Sequence, residues 1–377
     1  MTEIRGVLVL GGGVAGLSAA ETLADLGWQV TLVDRNGHLG GHSESWACMA
    51  TESCNRCSAC AVSDRIHRVV SHPGIRVRTL ARLVDLKGED GNFQAHIEAV
   101  NKPTRRICRS HPHFVLGASE TLEVAKVVLA TGFQTFDPSE LPLLNYDRLE
   151  GVVTIADLDG YLREDRLAEF FSADEDRIAF IQCVGSRDRQ RGRDYCSQFC
   201  CKASVRLARK LLFERPDLKI TIYYIDLQVT GKEFRSFHEQ MQSRIRFVQG
   251  TPAEILPAEE GDGLRVKVFD PVTGEIGYEE HDRVILATGQ TPNPINREFA
   301  ERLDIELAPD GFLALAEPGV STRSSRPGVY LTGACAGPTD LATASTQALA
   351  TAAEIGRPSS GDDTPNRHLM ATGSTRL

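Results

Sequence analysis

Short apolar runs separated by glycine-rich turns set the pattern of this chain. The first run, Val7-Leu8-Val9-Leu10, reads as a strand and leads into Gly11-Gly12-Gly13-Val14-Ala15-Gly16. A helix is predicted from about Leu17 to Leu26, with Gly27 as its C-terminal stop. A second strand, Gln29–Val33, ends in Asp34. Further strands are predicted at Lys126–Leu129, Ile178–Cys183, Ile220–Ile225, Arg265–Phe269, Arg283–Leu286 and Gly328–Leu331. Helices are expected near Val205–Phe213 and from about Asp340 to Ile355. Strands alternating with helices indicate an α/β protein.

The opening unit carries chemistry. Gly11, Gly13 and Gly16 form G-x-G-x-x-G between a strand and a helix, and Asp34 lies 18 residues beyond the last glycine. Glycines permit the tight turn and a close backbone approach, the helix N-terminus faces a pyrophosphate, and the acid can accept from a ribose hydroxyl. The bland alternative is a glycine turn with no ligand. Lys126–Leu129 closes on Ala130-Thr131-Gly132, Arg283–Leu286 on Ala287-Thr288-Gly289, and Gly328–Leu331 on Thr332-Gly333-Ala334-Cys335. This series resembles two-dinucleotide-domain flavoproteins of the thioredoxin reductase type. The resemblance implies FAD, a discontinuous FAD domain and a second Rossmann-type domain inserted in it. The expected division is 1–139 and 291–356 for the FAD domain, 140–290 for the inserted unit, and a disordered tail over 357–377. Asn101–His113, with Cys108, reads as a surface loop.

A pyridine-nucleotide domain needs its own glycine-rich turn after Ile178–Ile181. Here that turn reads Cys183-Val184-Gly185-Ser186-Arg187-Asp188, with a thiol where the first glycine should stand. A Cβ there obstructs the approach to a pyrophosphate, so the sequence argues against NAD(P)H in this half. The chain has ten cysteines. At 377 residues it does not need disulfides for stability, and clustered thiols then read as metal ligands or redox centres. Cys183, Cys196, Cys200 and Cys201 supply the four thiolates of a [4Fe–4S] cluster or a tetrahedral zinc, or are buried structural thiols. The adjacent pair is awkward for zinc. A second group, Cys48, Cys54, Cys57 and Cys60, contains C-x2-C-x2-C, the compact spacing of bacterial ferredoxin loops, without the trailing Cys-Pro. It is a second cluster site, a set of redox thiols beside the flavin, or structural. Cys335 is expected as a packed core thiol, with ligand or redox partner as alternatives.

Composition narrows the class. Hydrophobic residues at 41% and charged residues at 25% exclude a disordered or fibrous chain. The net charge of −9 disfavours nucleic acid and anionic membranes as partners. No apolar run approaches the roughly 18 residues of a membrane span. The start of the chain lacks the basic, apolar and small-residue segments of a signal peptide, so a cytoplasmic location is expected.

Ile181-Gln182-Cys183-Val184-Gly185-Ser186-Arg187-Asp188, continued by Tyr195-Cys196 and Cys200-Cys201, resembles the signature of the heterodisulfide reductase A-subunit family. So does Gly333-Ala334-Cys335-Ala336-Gly337-Pro338, and the similarity runs over nearly all of residues 5–356 through His72-Pro73-Gly74-Ile75 and Gly91-Asn92-Phe93. The methanogen-type protein carries a ferredoxin insert near where Lys102–His113 lies, and this chain does not. In that respect it is similar to the short A-like subunit of the heterodisulfide-reductase-like complex of sulfur-oxidising bacteria. The quinone-interacting A subunit of sulfate reducers is the nearest competitor. The resemblance implies FAD, one [4Fe–4S] cluster on Cys183, Cys196, Cys200 and Cys201, and an electron-transfer role in sulfur-compound oxidation. It also implies B-like and C-like partner subunits, a lipoate-binding carrier protein as a further candidate partner, and a homodimer.

Carried over residue by residue, the resemblance puts Gly11, Gly12, Gly13 and Gly16 at the pyrophosphate and Asp34 and Arg35 at the adenosine. Gly41, Ala130, Thr131 and Gly132 line the cofactor, and Leu83 meets the adenine through its backbone. Gly333 and Ala334 stand where relatives have Gly-Asp against the ribitol. Ala334 has no acceptor, so Asp340 is a candidate substitute, with a helix N-cap as its plainer reading. No residue reads as a general acid, base or hydrolytic nucleophile, and His38, His42 and His67 are expected at the surface. The rival functions are a self-contained NAD(P)H-dependent flavin disulfide reductase, an electron-bifurcating component and a zinc-stabilised scaffold.

Overall fold

The computed structural model describes residues 6–101, 114–171, 176–228, 234–269 and 274–356. Cys108, almost all of the expected loop over Asn101–His113, and the expected tail lie outside the described residues.

Two parallel sheets organise the chain. The first has six strands in the order Val329–Leu331, Lys126–Leu129, Gly6–Leu10, Gln29–Asp34, Ile75–Thr79 and Phe114–Leu116. Its central strand is apolar on both faces, with Val7, Leu8 and Val9 fully buried, as a parallel strand covered by helices requires. Helices Val14–Asp25, Ala59–Ser71 and Leu341–Gly356 contribute to the core on one side through Leu17, Leu23, Val69, Ala348 and Ile355. A three-stranded antiparallel meander, Ala81–Glu89, Asn92–Ala99 and Glu120–Val124, packs on the other side through Leu83, Phe93 and Ile97.

The second sheet runs Val152–Thr154, Arg283–Thr288, Arg177–Val184, Lys219–Tyr224 and Ile245–Gln249, again all parallel. Helix Ile155–Arg163 starts on a capping box, in which Thr154 and Asp157 satisfy each other's backbone N–H groups. Helix Cys200–Glu214 buries Val205, Ala208 and Leu211 against this sheet. The architecture is therefore a pair of Rossmann-type units, each built on a parallel sheet.

One predicted strand belongs elsewhere. Leu264–Phe269 is the middle strand of an antiparallel meander with Glu254–Pro257 and Ile276–His281, not a member of the parallel sheet. Leu264 and Val266 are buried while Arg265 and Lys267 alternate with them, which is the pattern of a sheet with one wet face. The parallel sheet is completed by Val152–Thr154 and Ile245–Gln249, two short edge strands that were not predicted. The chain passes between the units twice, at Phe133–Thr135 and Gln290–Pro292, and these two crossings pair as an antiparallel ribbon.

Candidate functional site

The glycine turn after Leu10 is a steric requirement. Gly11 has φ +109°, and a Cβ on it would lie 2.2 Å from the Ala130 carbonyl oxygen. At Gly16 a Cβ would lie 1.8 Å from the Gly11 carbonyl oxygen, so the helix can approach the strand only without a side chain. The Asp34 carboxylate accepts the Gly12 N–H at 2.7 Å through Oδ2 and the Asn36 N–H at 2.7 Å through Oδ1. Burial pushes this carboxyl above its ordinary range, and the two N–H donors oppose that.

A cavity of about 400 Å³ opens over the turn. Gly11, Gly13, Asp34, Arg35, Gly41, Leu83, Ala130, Thr131, Gly132, Ala334 and Asp340 all line it. Three expected residues stand behind the wall. Gly12 backs onto Leu39, Gly16 onto Gly11, and Gly333, at φ +70°, onto Ala15. Asp340 caps helix Leu341–Gly356 by accepting the Thr343 N–H at 2.8 Å. Burial raises its carboxyl, but the Thr343 backbone and Lys202 outweigh that and hold it below the usual range. His42 is exposed, as expected, at the rim of the cavity, where it stacks on Phe133 with ring centroids 4.3 Å apart, whereas His38 is half-buried in the lining. His67 is exposed. Sequence reasoning missed Phe133, Phe199, Gln290, Asn293 and Thr339 in the lining. The polar run Gln290-Thr291-Pro292-Asn293, directly after the second Ala-Thr-Gly, was a usable signal.

The equivalent turn of the second sheet is filled. Cys183 adopts φ +61°, a conformation that glycine favours, and a Cβ on Gly185 would fall 2.0 Å from the ring of buried Phe136. Arg193 stacks over that ring at 4.8 Å. Cys183, Cys196, Cys200 and Cys201 line one small cavity together with Ser186, Arg187 and Asp226, the last two forming an ion pair. Cys200 and Cys201 begin helix Cys200–Glu214, whose N-terminus has no side-chain cap. The Gln198 N–H, at a residue with φ +64°, points to Cys196 Sγ at 3.3 Å. Burial first, then the Cys201 sulfur, pushes the Cys183 thiol up to about 11, and burial also raises Cys200 and Cys201. These thiols are neutral near pH 7 unless a metal displaces their protons. Among the described residues, no three His, Cys, Asp or Glu side chains are grouped to hold a single metal ion. The four thiols thus share a cavity without forming the tight set that zinc draws to about 2.3 Å.

Cys48, Cys54 and Cys60 are exposed and Cys57 is half-buried, all as free thiols. Their loop is strapped to the thiol-bearing helix. Arg206 donates to the Asn55 and Arg56 carbonyls at 3.0 Å each, and Arg209 donates to Asn55 Oδ1 at 2.8 Å. At its start the Ala47 N–H donates to Asp159 Oδ2 at 3.0 Å, and burial pushes that carboxyl up to about 7. Cys335 is fully buried and lines neither cavity. Its thiol donates to the Leu129 and Thr332 carbonyls, and burial pushes it up to about 11.

The two cavities meet at the segment 197–202. Phe199 lines both. The Ser197 hydroxyl accepts the Gln290 N–H at 2.9 Å, and the Gln290 amide exchanges two hydrogen bonds with the Thr339 backbone. Lys202 pairs with Asp340 at 3.1 Å.

Residues 5–179 match the pyridine nucleotide-disulphide oxidoreductase family. The iron-sulfur A subunit of a CoB–CoM heterodisulfide reductase from Methanopyrus kandleri is 30% identical over 92% of this chain and 63% of its own length. The A subunit of the ferredoxin/F420H2-dependent CoB–CoM heterodisulfide reductase of Methanosarcina acetivorans is 27% identical over 93% of this chain and 53% of its own length. The chain thus spans between about half and two thirds of the length of these relatives. The thioredoxin reductase of T. acidophilum superimposes with a TM-score of 0.56 at 18% identity, covering 93% of this chain and 98% of its own. No helix among the described residues is long and apolar enough to cross a membrane. With its glycine turn, its two Rossmann-type units and these matches, the chain is similar over most of its length to the A subunits of heterodisulfide reductases and has the thioredoxin-reductase-like fold.

Proposed function

We propose that the chain is an electron-transfer component of a heterodisulfide-reductase-like complex, exchanging electrons between an FAD in the larger cavity and a [4Fe–4S] cluster on Cys183, Cys196, Cys200 and Cys201. The observation that carries this reading is Phe199, which lines both cavities at once. When bound, the flavin takes up two electrons and can release them singly, while an iron–sulfur cluster carries one at a time.

The residues present fit both groups. For the flavin, Gly11 and Gly16 let strand, turn and helix close up beneath the cavity, where a Cβ would clash with the backbone, Asp34 keeps acceptor capacity for a ribose hydroxyl, and the cavity-lining residues enclose the remainder. The flavin-binding unit is 1–139 with 291–356, and the cluster-bearing unit is 140–290. For the cluster, Ser186 offers a buried hydroxyl that lacks a partner and lines the thiol cavity. The uncapped N-terminus of Cys200–Glu214 favours a negative group there. An anionic cluster would thus stand at the helix end where a Rossmann unit ordinarily receives a pyrophosphate.

A second cluster on Cys48, Cys54, Cys57 and Cys60, in place of redox thiols, has one observation in its favour. The Arg56 N–H points to Cys54 Sγ at 3.4 Å with Arg56 at φ +50°, the local geometry that recurs at Cys196. The family resemblance extends the reading to cytoplasmic sulfur-compound oxidation, with substrate chemistry on partner subunits, B-like and C-like subunits and a lipoate-binding carrier protein as partners, and this chain as a homodimer.

The test is photoreduction of FAD-loaded, anaerobically purified protein, followed by spin-resonance spectroscopy of the frozen sample. The reading expects a reduced-cluster signal that rises as flavin absorbance falls and is then restored. Rapid bleaching of the flavin by NADH, with no cluster signal, would favour a self-contained disulfide reductase instead.

A further inference from the structure

Two helices begin at the junction between the cavities. Cys200–Glu214 opens with the last two thiols of the small cavity, and Leu341–Gly356 opens against the larger one. One ion pair ties these two ends together. Asp340 uses Oδ1 to cap its own helix at Thr343, and turns Oδ2 to the Lys202 ammonium at 3.1 Å. Lys202 follows Cys201 directly in the chain, whereas Asp340 lines the larger cavity beside Thr339 and Leu341. Both side chains are largely shielded, at 15% and 23% exposure. An exposed ion pair contributes little, but charges shielded from water act on their neighbours over several ångströms.

We propose that Lys202 and Asp340 form a positioning pair that sets the flavin's reduction potential for electron exchange with the cluster. This rests on the assignment of the two cavities to FAD and the cluster. In the exchange, each electron that the reduced flavin loses is gained by the oxidised cluster, and the flavin's protons pass to water. The pair itself exchanges no atom. Its role is electrostatic: a carboxylate beside the flavin opposes added electrons, and the ammonium at 3.1 Å cancels that opposition. The same contact holds the thiol-bearing helix in register with the flavin cavity. Arg206, one turn further along, is also in electrostatic range of Asp340 and stays in every variant, so the effect is read as a difference between variants.

The experiment measures the flavin midpoint potential of anaerobically purified, FAD-loaded protein for the wild type, K202M, D340N and the double variant. Asn caps a helix as well as Asp does, so D340N keeps the helix start. K202M is expected to make the flavin about tenfold harder to reduce, a fall of about 30 mV for a two-electron couple. D340N is expected to shift the potential the other way, and the double variant to return close to the wild type. K202R is expected to hold the wild-type value. Flavin-loaded variants with one common potential would overturn the proposal, because a merely structural tie would not order the four values by charge. A wild-type protein that binds no FAD would instead overturn the assignment of the cavity.

Discussion

After the strand Gly6–Leu10 the chain turns on glycines, and the space above the turn stays open. After the strand Arg177–Val184 it turns on Cys183, and the ring of Phe136 occupies the space against Gly185. Both turns lie between a parallel strand and a helix of a Rossmann-type unit. The first lets a helix N-terminus come close to a ligand's phosphates. The second delays its helix until Cys200, uses the intervening residues to gather thiols, and packs an aromatic side chain against Gly185. Asp226, just beyond the strand Lys219–Tyr224 in the place where a ribose-binding acid would stand, is paired with Arg187 beside the thiols. One backbone plan thus ends in two different ways, an open glycine turn and a filled, thiol-lined one, and the difference lies in a handful of side chains at one strand end.

Substitutions can break this contrast, and the largest effect is expected at the thiols. C200A removes one of the four proposed ligands and is expected to lose about four irons per chain while FAD remains, as read by iron and flavin analysis. F136A empties the filled turn and is expected to cost about 3–5 kcal/mol in denaturant unfolding. It is not expected to create a response to NADH, because Cys183 and its Cβ remain. G16A closes the open turn: its Cβ would meet the Gly11 carbonyl, for a cost of about 3 kcal/mol. That cost falls on the packing of helix against strand beneath the cavity and is read in denaturant unfolding.

The smallest effect sharpens the comparison where the Cys48–Cys60 loop meets the second unit. Asp159 titrates near 7 in the fold against 3.8 ordinarily, so its neutral form is favoured there. Its contribution is present below about pH 4 and is lost as pH rises through about 7. D159N keeps an acceptor for the Ala47 N–H without the charge. It is expected to be more stable than the wild type by about 1–3 kcal/mol at pH 8 and equal to it at pH 4. Parallel stability profiles across that range would contradict the role given to its burial.

The sequence reading reached the first turn and the thiol set because both are local. Gly11, Gly16 and Asp34 lie within 24 residues, and the spacing of Cys183, Cys196, Cys200 and Cys201 is visible along the chain. What it missed is long-range. Phe136 meets Gly185, Gln290 meets Thr339, and Lys202 meets Asp340 only because the chain crosses twice between the units at Phe133–Thr135 and Gln290–Pro292. No periodicity announces such pairs. The stacking of the exposed His42 on Phe133 was missed for the same reason, since the two are 91 residues apart. The strand expected at Arg265–Phe269 is present, but its place in an antiparallel meander was not legible, because strand propensity does not say which neighbour a strand will take.

The most direct test of the account is the content of iron, acid-labile sulfide, zinc and FAD per chain in protein purified without air. The account predicts about four irons with an equal amount of sulfide and about one FAD. Zinc in place of iron, or a chain that binds no flavin, would contradict it.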